Sequence, residues 1–150
     1  MISAGILPYR RRQALKVLIA HPGGPFFANK DEGAWSVIKG LIEEGEDARQ
    51  AAAREFQEET GWQPPSEPWI ELGEVRLRSG KRVMVWGAEG DYDPATLEPG
   101  TFTMMLRGKP ATFPEVDRVG WFDIATARKK LNPAYGPILD ALERQVPHDG

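Results

Sequence analysis

The strongest constraint on how this chain can fold is the segment from Gly40 to Trp62, GLIEEGEDARQAAAREFQEETGW. Its dense alanines, interleaved with Arg and Gln, predict a helix from Asp47 to Thr60, and Gly61 supplies a stop. At roughly 100° per residue, Ala48, Ala51 and Ala52 share one face with Glu55 and Glu59, and Glu58 sits at its border. The opposite side carries Gln50, Ala53 and Gln57. A surface helix ordinarily places its charges opposite the apolar stripe. Here the carboxylates occupy the inward face, which costs free energy unless something positive meets them. Two or three carboxylates within about one turn repel one another, and a hard divalent cation with oxygen ligands, Mg²⁺ or Mn²⁺, is the ordinary remedy. The small alanines then let the helix approach a neighbouring backbone closely. The competing reading is a solvated, glutamate-rich face.

A chain of 150 residues suits one core, so residues 1–150 are expected to form a single domain with one site. Hydrophobic residues make up 41% and charged residues 27%, without low-complexity tracts or internal repeats, which excludes a disordered chain. The longest uncharged apolar runs fall far short of the roughly 18 residues of a membrane span, and the apolar ISAGIL precedes its basic cluster. The expectation is a cytoplasmic protein with no membrane partner. The absence of cysteine removes disulfides, thiolate metal sites and a cysteine nucleophile, leaving the chemistry to oxygen and nitrogen. A net charge of −3 gives no overall field for a polyanion, so no nucleic-acid partner is expected. Two local basic clusters, Arg10 to Arg12 and Arg76, Arg78, Lys81 and Arg82 around Ser79-Gly80, read as hairpin turns with solvated charge. Their functional alternative is a phosphate contact at the mouth of a site. The oligomeric state cannot be read from the sequence.

Strands are expected from Ser3 to Tyr9 and from Ala14 to Ala20, joined by a turn at Arg10 to Gln13. From His21 to Gly33 chain breakers recur every few positions, and so long a loop in a compact domain tends to be functional or mobile. Phe26, Phe27 and Trp35 there either stack on a base or anchor the loop, and anchoring is favoured. The loop leads into a short apolar run, Trp35 to Ile38. Beyond the helix, Trp69 to Arg78 and Lys81 to Ala88 predict a hairpin, and Thr101 to Leu106 and Arg118 to Phe122 two further strands. Ile124 to Leu131 and Tyr135 to Gln145 read as helices separated by Asn132-Pro133. This order predicts an α/β fold in which a mixed β-sheet lies between helical layers. His21, at a strand end, and His148, near the C-terminus, are assigned to no site.

As a pattern, the opening segment reads Gly40, five residues, Glu46, seven residues, Arg54-Glu55, the apolar Phe56, Gln57, Glu58-Glu59, Thr60, Gly61, Trp62. This is the Nudix box, and the chain resembles the Nudix hydrolase family. Seven required identities, each at roughly 7% usage, coincide by chance about once in 10⁸ frames. The rest of the chain is similar to small bacterial members with a Trp before the box and a Pro-Glu-Val-Asp-Arg-X-X-Trp-Phe run after it, here Pro114 to Phe122.

The resemblance implies a Nudix-type α/β/α sandwich with a mixed β-sheet, in agreement with the element order. It implies hydrolysis of a pyrophosphate bond in a nucleoside diphosphate linked to another group, with a small-molecule nucleotide substrate, an NTP or dinucleoside polyphosphate being favoured. Mg²⁺ is the implied cofactor and Mn²⁺ the alternative. By resemblance, Glu55, Glu58 and Glu59 hold the metal together with the backbone carbonyl of Lys39 or Gly40. Cations bridging pyrophosphate oxygens neutralise charge on the leaving group and lower the pKa of a bound water. Family members differ in whether the carboxylate that takes the water's proton lies in the box or on a later loop. The later candidates are Glu115 and Asp117. Glu115 is favoured, as fourth ligand or base, because it stands six residues before Trp121 as an acid does in some members; the alternative is a loop acid beside a strand.

The candidate catalytic set is therefore Arg54, Glu55, Glu58 and Glu115. Arg54 is read as an organiser, holding Glu55 or Glu58 through its planar fork. Glu46 by resemblance ties the loop to Arg54, a role compatible with compensating the helix dipole. Gly40 and Gly61 permit loop conformations that other residues resist. Ile38 stands where many members carry proline. Val75 to Gly80 has neither the Tyr of diadenosine-polyphosphate enzymes nor the Pro of ADP-ribose enzymes, so the substrate stays open. A non-catalytic nucleotide-binding or sensor module would be expected to have lost box acids, and all are present. Isoprenoid diphosphate isomerisation, which some relatives perform with a cysteine, is set aside.

Overall fold

A computed structural model describes residues 1–147; His148 lies outside them. The strands are β1 (Ile2–Arg10), β2 (Lys16–Pro22), β3 (Ile38–Leu41), β4 (Trp69–Arg76), β5 (Arg82–Glu89), β6 (Thr101–Leu106), β7 (Lys109–Pro114) and β8 (Val116–Asp123). The helices are α1 (Ala48–Thr60), α2 (Ile124–Lys130) and α3 (Gly136–Gln145). Six strands form one mixed sheet in the order β4-β5-β1-β2-β8, with β3 paired to β1.

Strand β1 organises this sheet. Along one edge it pairs in parallel with β5 from Ile2 to Tyr9. Its other edge is shared: β3 takes Ser3 to Ile6, and β2 takes Tyr9 and Arg10. The sheet therefore forks beside β3, and the fork leaves room for a cleft. Because neighbouring side chains on a strand point to opposite faces, the apolar runs of the central strands feed two cores. Leu7, Val17, Ile19, Val83 and Val85 pack with Tyr135, Leu139 and Leu142 beneath α3. Ala4, Ile6, Leu18, Ala20 and Ala88 pack with Ala51, Ala52 and Phe56 of α1. The α/β reading with helices on both faces of a mixed sheet is thus borne out.

Helix α1 begins and ends where local chemistry directs. Asp47 is its cap, accepting from the Gln50 N–H at 2.8 Å while the Gln50 side chain accepts from the Asp47 N–H at 3.2 Å. Gly61 ends it in the left-handed region at φ 77°, its N–H reaching the Gln57 carbonyl at 2.8 Å. Ala51 and Ala52 are fully buried, so the helix lies close against β1 and β3.

Three expectations need correction. Strand β2 starts at Lys16, not Ala14, and runs through His21 and Pro22, which pair with Arg118 and Val116 of β8. Strand β7 was not expected, and β6 pairs with it in a separate two-stranded sheet. Pro110 and Pro114 hid β7; an edge position tolerates the missing N–H. The third helix begins at Gly136, because Pro133–Tyr135 forms a 3₁₀ turn that Asn132 caps.

Candidate active site

The fork beside β3 opens into a cavity of about 820 Å³. Glu55, Glu58 and Glu59 reach it from α1, Glu43 from the loop before the helix, and Glu115 from the segment entering β8. Lys39, Leu41 and Ser3 line it from β3 and β1, and Lys81 from the β4–β5 turn. The sequence brought all but Glu43, Leu41, Ser3 and Lys81 forward as site residues, and had Lys81 in reserve as one of a basic turn cluster. Of that cluster, Lys81 lines the cavity, whereas Arg82 pairs with Glu74 at 2.9 Å. The other cluster is engaged elsewhere: Arg10 and Arg12 pair with Asp91, and Arg11 with Glu89.

Arg54 is the hub of the acidic wall. Its Nε and Nη2 donate to the two Glu46 oxygens at 2.8 and 3.0 Å, and Nη2 also donates to the Leu41 carbonyl at 3.0 Å. Its Nη1 donates to Glu55 at 2.9 Å and Glu58 at 3.1 Å. One planar fork thereby fastens the pre-helix loop, β3 and two carboxylates together. The guanidinium holds Glu46 down at about 2, and its own proton is bound more firmly than usual, chiefly through Glu46.

Glu59 lies outside this network. Burial first, then the carboxylates of Glu115, Glu55 and Glu58, lift it to about 7. Glu55 is raised too, by burial against the opposing pull of Arg54. Lys39, lying among these acids, is shifted down, mainly by burial and then by Lys81. Gly40 explains how an acid comes so near β3: a side-chain carbon at that position would overlap the Glu55 carboxylate. Gly61 supplies the expected left-handed turn, but Gly40 lies in β3 without a positive φ, so contrary to expectation its role is clearance for Glu55 and not a special backbone conformation.

Asp117 is separated from Glu115. The β2–β8 register shifts between His21 and Pro22, leaving Asp117 unpaired across a bulge. Its carboxylate meets the buried His21 ring at 2.8 Å, whose other nitrogen meets the Lys30 carbonyl at 2.6 Å. Bulges beside a site re-aim side chains in this way. His21 consequently anchors the long loop, as does Trp35, which is buried and donates to Asp31 at 2.7 Å. Phe26 and Phe27 pack edge to face on each other and do not line the cavity.

The donor set fits a hard divalent cation. It consists of oxygen donors only, it leaves Glu59 destabilised as an anion, and Gly40 keeps the neighbouring backbone open. No three acidic groups among the described residues form a ready-made ion cluster, which accords with their mutual repulsion and the hold of Arg54 on two of them.

The family model described as NUDIX domain matches residues 1–142. The chain belongs to the Nudix family. The resemblance carried by the box is borne out, and with it the assignment to the Nudix pyrophosphohydrolases. No curated protein matches the chain in sequence. Among solved structures, the NUDIX domain of Shewanella oneidensis NrtR complexed with ADP ribose is similar, with a TM-score of 0.66 and 21% identity over 97% of this chain and 88% of that one. A C. elegans Ap4A hydrolase binary complex gives 0.65 and 18% over 95% and 96%. The MutT protein from Methanosarcina mazei Go1 gives 0.62 and 19% over 97% and 94%. At these identities the structures speak for the Nudix fold of this chain. No helix among the described residues is long and apolar enough to cross a membrane.

Proposed function

We propose that this Nudix chain is a divalent-metal-dependent hydrolase of the pyrophosphate bond in a nucleoside diphosphate linked to another group, acting as a single cytoplasmic domain. The observation that carries the reading is the gathering of Glu55, Glu58, Glu59 and Glu115 around one cavity, with Glu59 lifted to about 7. A carboxylate so raised marks a site built for a positive ligand. Glu55, Glu58 and Glu59, with the Lys39 or Gly40 carbonyl, would hold Mg²⁺ or Mn²⁺, which when bound supplies charge neutralisation on the pyrophosphate and an acidified water.

The chain's own residues account for the remaining work. Arg54 locks Glu55 and Glu58 in place, so these carboxylates need not reorganise during reaction. Glu115 approaches from the segment entering β8 and is the proposed acceptor of the water's proton, since the three box acids are committed as ligands. An NTP or dinucleoside polyphosphate is the favoured substrate. The Ap4A hydrolase among the similar structures and the ADP-ribose complex are consistent with the wider class.

A substrate panel tests this reading. dNTPs, ADP-ribose, dinucleoside polyphosphates, nucleotide sugars and CoA are incubated with Mg²⁺, Mn²⁺ or EDTA, and the products identify the broken bond. The expected result is metal-dependent cleavage at a pyrophosphate linkage of at least one class. Binding without turnover across the panel would instead indicate a non-catalytic module and overturn the reading.

A further inference from the structure

We propose that His21 and Asp117 are positioning residues that latch a strand bulge and so aim Glu115 into the cavity; the proposal rests on the hydrolytic reading in which Glu115 serves the reaction. Along a regular strand side chains alternate between faces, so residues three apart point to opposite sides. Val116 and Val119 of β8 are three apart, yet both pack in the core beneath α1. The alternation is therefore reset between them, where the pairing passes from His21 opposite Arg118 to Pro22 opposite Val116. Asp117 is the extra residue. Glu115 lies beyond the reset, and with its direction reversed relative to a regular strand it lines the cavity with Glu55 and Glu59.

A bulge leaves its extra residue out of the ladder, and a regular register would recover the lost pairing. That register would set Asp117 opposite Pro22 and Val116 opposite Gly23, turning Glu115 to the other face of the strand. His21 opposes the slip. Its ring is fully buried, stands edge-on to Trp35 at 5.3 Å, and meets the Asp117 carboxylate through Nδ1 at 2.8 Å. Its Nε2 donates to the Lys30 carbonyl at 2.6 Å, so the ring is held from both ends. Arg118 closes the latch from outside, with Nη1 3.4 Å from the Asp117 carboxylate and its guanidinium over the Trp35 ring. The backbone of Glu115 is tied as well: its N–H donates to the Gly100 carbonyl at 2.8 Å, and its carbonyl accepts from the Gly23 N–H at 3.0 Å. Gly23 permits that approach, since a side-chain carbon there would sit 1.9 Å from the Pro114 carbonyl oxygen. None of these contacts uses the Glu115 carboxylate, which is left to the cavity.

A double-mutant cycle on the substrate identified by the panel separates aiming from packing, with thermal melting confirming that each variant folds. Asp117→Ala is expected to lower kcat about tenfold or more while KM stays within about twofold, because a misplaced group costs the chemical step more than binding. Asp117→Asn, which keeps an oxygen acceptor for the ring, should recover most of that loss. In a Glu115→Gln background, Asp117→Ala should lower kcat by less than about twofold further, since the group it aims is already gone. Losses that multiply in full, or parental kcat in Asp117→Ala, would overturn the proposal. Crystal structures supply a readout that needs no turnover. Asp117→Ala is expected to show Val116 opposite Gly23 and the Glu115 carboxylate outside the cavity; a bulge and a Glu115 unchanged from the wild type would overturn the proposal. A protein that hydrolyses nothing in the panel, yet moves Glu115 in that variant structure, would keep the latch and remove the hydrolytic reading alone.

Discussion

Helices α1 and α3 cover opposite faces of the same sheet, and each has an arginine-centred acidic cluster, yet the clusters lie on opposite sides of their helices. On α3, Ile138, Leu139 and Leu142 face the core, while Asp140 and Glu143 look outward to Arg128 of α2 at 2.5 and 2.9 Å. On α1, the core contribution is Ala51, Ala52 and Phe56, and Glu55 and Glu59 turn into the cavity beside them. The α3 arrangement is what solubility and stability require of a surface helix. The α1 arrangement sacrifices stability locally, since half-buried carboxylates are held near one another, and such a cost persists where function uses it. The difference supports, without reference to any relative, the proposal that the reactive face is the α1 side of the cavity.

Exchanging single charges breaks the comparison most sharply. Glu59→Gln and Glu58→Gln are each expected to lower turnover by about 10²-fold or more, because a proposed metal ligand is lost while little packing changes. Glu143→Gln on α3 is expected to leave turnover within about twofold. Initial rates on the substrate identified by the panel provide the check, and parental rates in both α1 variants would sink the assignment.

The two arginines should differ next. Arg54→Ala leaves Glu46, Glu55 and Glu58 without their shared donor and unfastens the pre-helix loop from α1. A loss of about 2 kcal/mol in stability and a drop in activity are expected, since the pairs are partly buried. Arg128→Ala removes an outward-facing cluster and should cost at most about 1 kcal/mol, with activity retained. Urea unfolding of both variants measures the gap; similar losses would mean that the α1 cluster is no more than surface charge.

How much of this was legible in the sequence follows from the range of each interaction. The limits of α1 could be read to within a residue, because Asp47, Gln50 and Gly61 act within one turn of the chain. The carboxylates shared the same advantage, since helical spacing alone places Glu55 and Glu59 with the alanines. Ser3, Lys39 and Lys81 meet only through the pairing of β1 with β3 and β5, and no local pattern announces a parallel contact between residues some eighty positions apart. Glu115 was favoured over Asp117 in the sequence, but only the bulge opposite His21 and Pro22 shows how the two part. Strand β7 was hidden by its prolines, which argue against a strand wherever the partner is unknown.

The smallest effect tests the cost itself. Glu59 is raised from the usual 4.5 to about 7, so the folded protein holds its proton more tightly than the unfolded chain does. The stabilisation this gives is complete below about pH 4.5 and is lost as pH rises through about 7. In EDTA, wild-type protein should therefore lose stability relative to Glu59→Gln between pH 5 and pH 8, by about 1–2 kcal/mol once the partial exposure of the carboxylate is discounted. That corresponds to roughly 3–6 °C in Tm for a chain of this size. Excess Mg²⁺ should reverse the order at pH 8, because an ion that binds only the folded state favours the protein that retains its ligand. Glu143→Gln serves as the α3 control, and its Tm profile should run parallel to the wild type throughout. Parallel profiles for Glu59→Gln as well would mean that the carboxylates of α1 are as well solvated as those of α3, and the contrast between the two helices would have no energetic content.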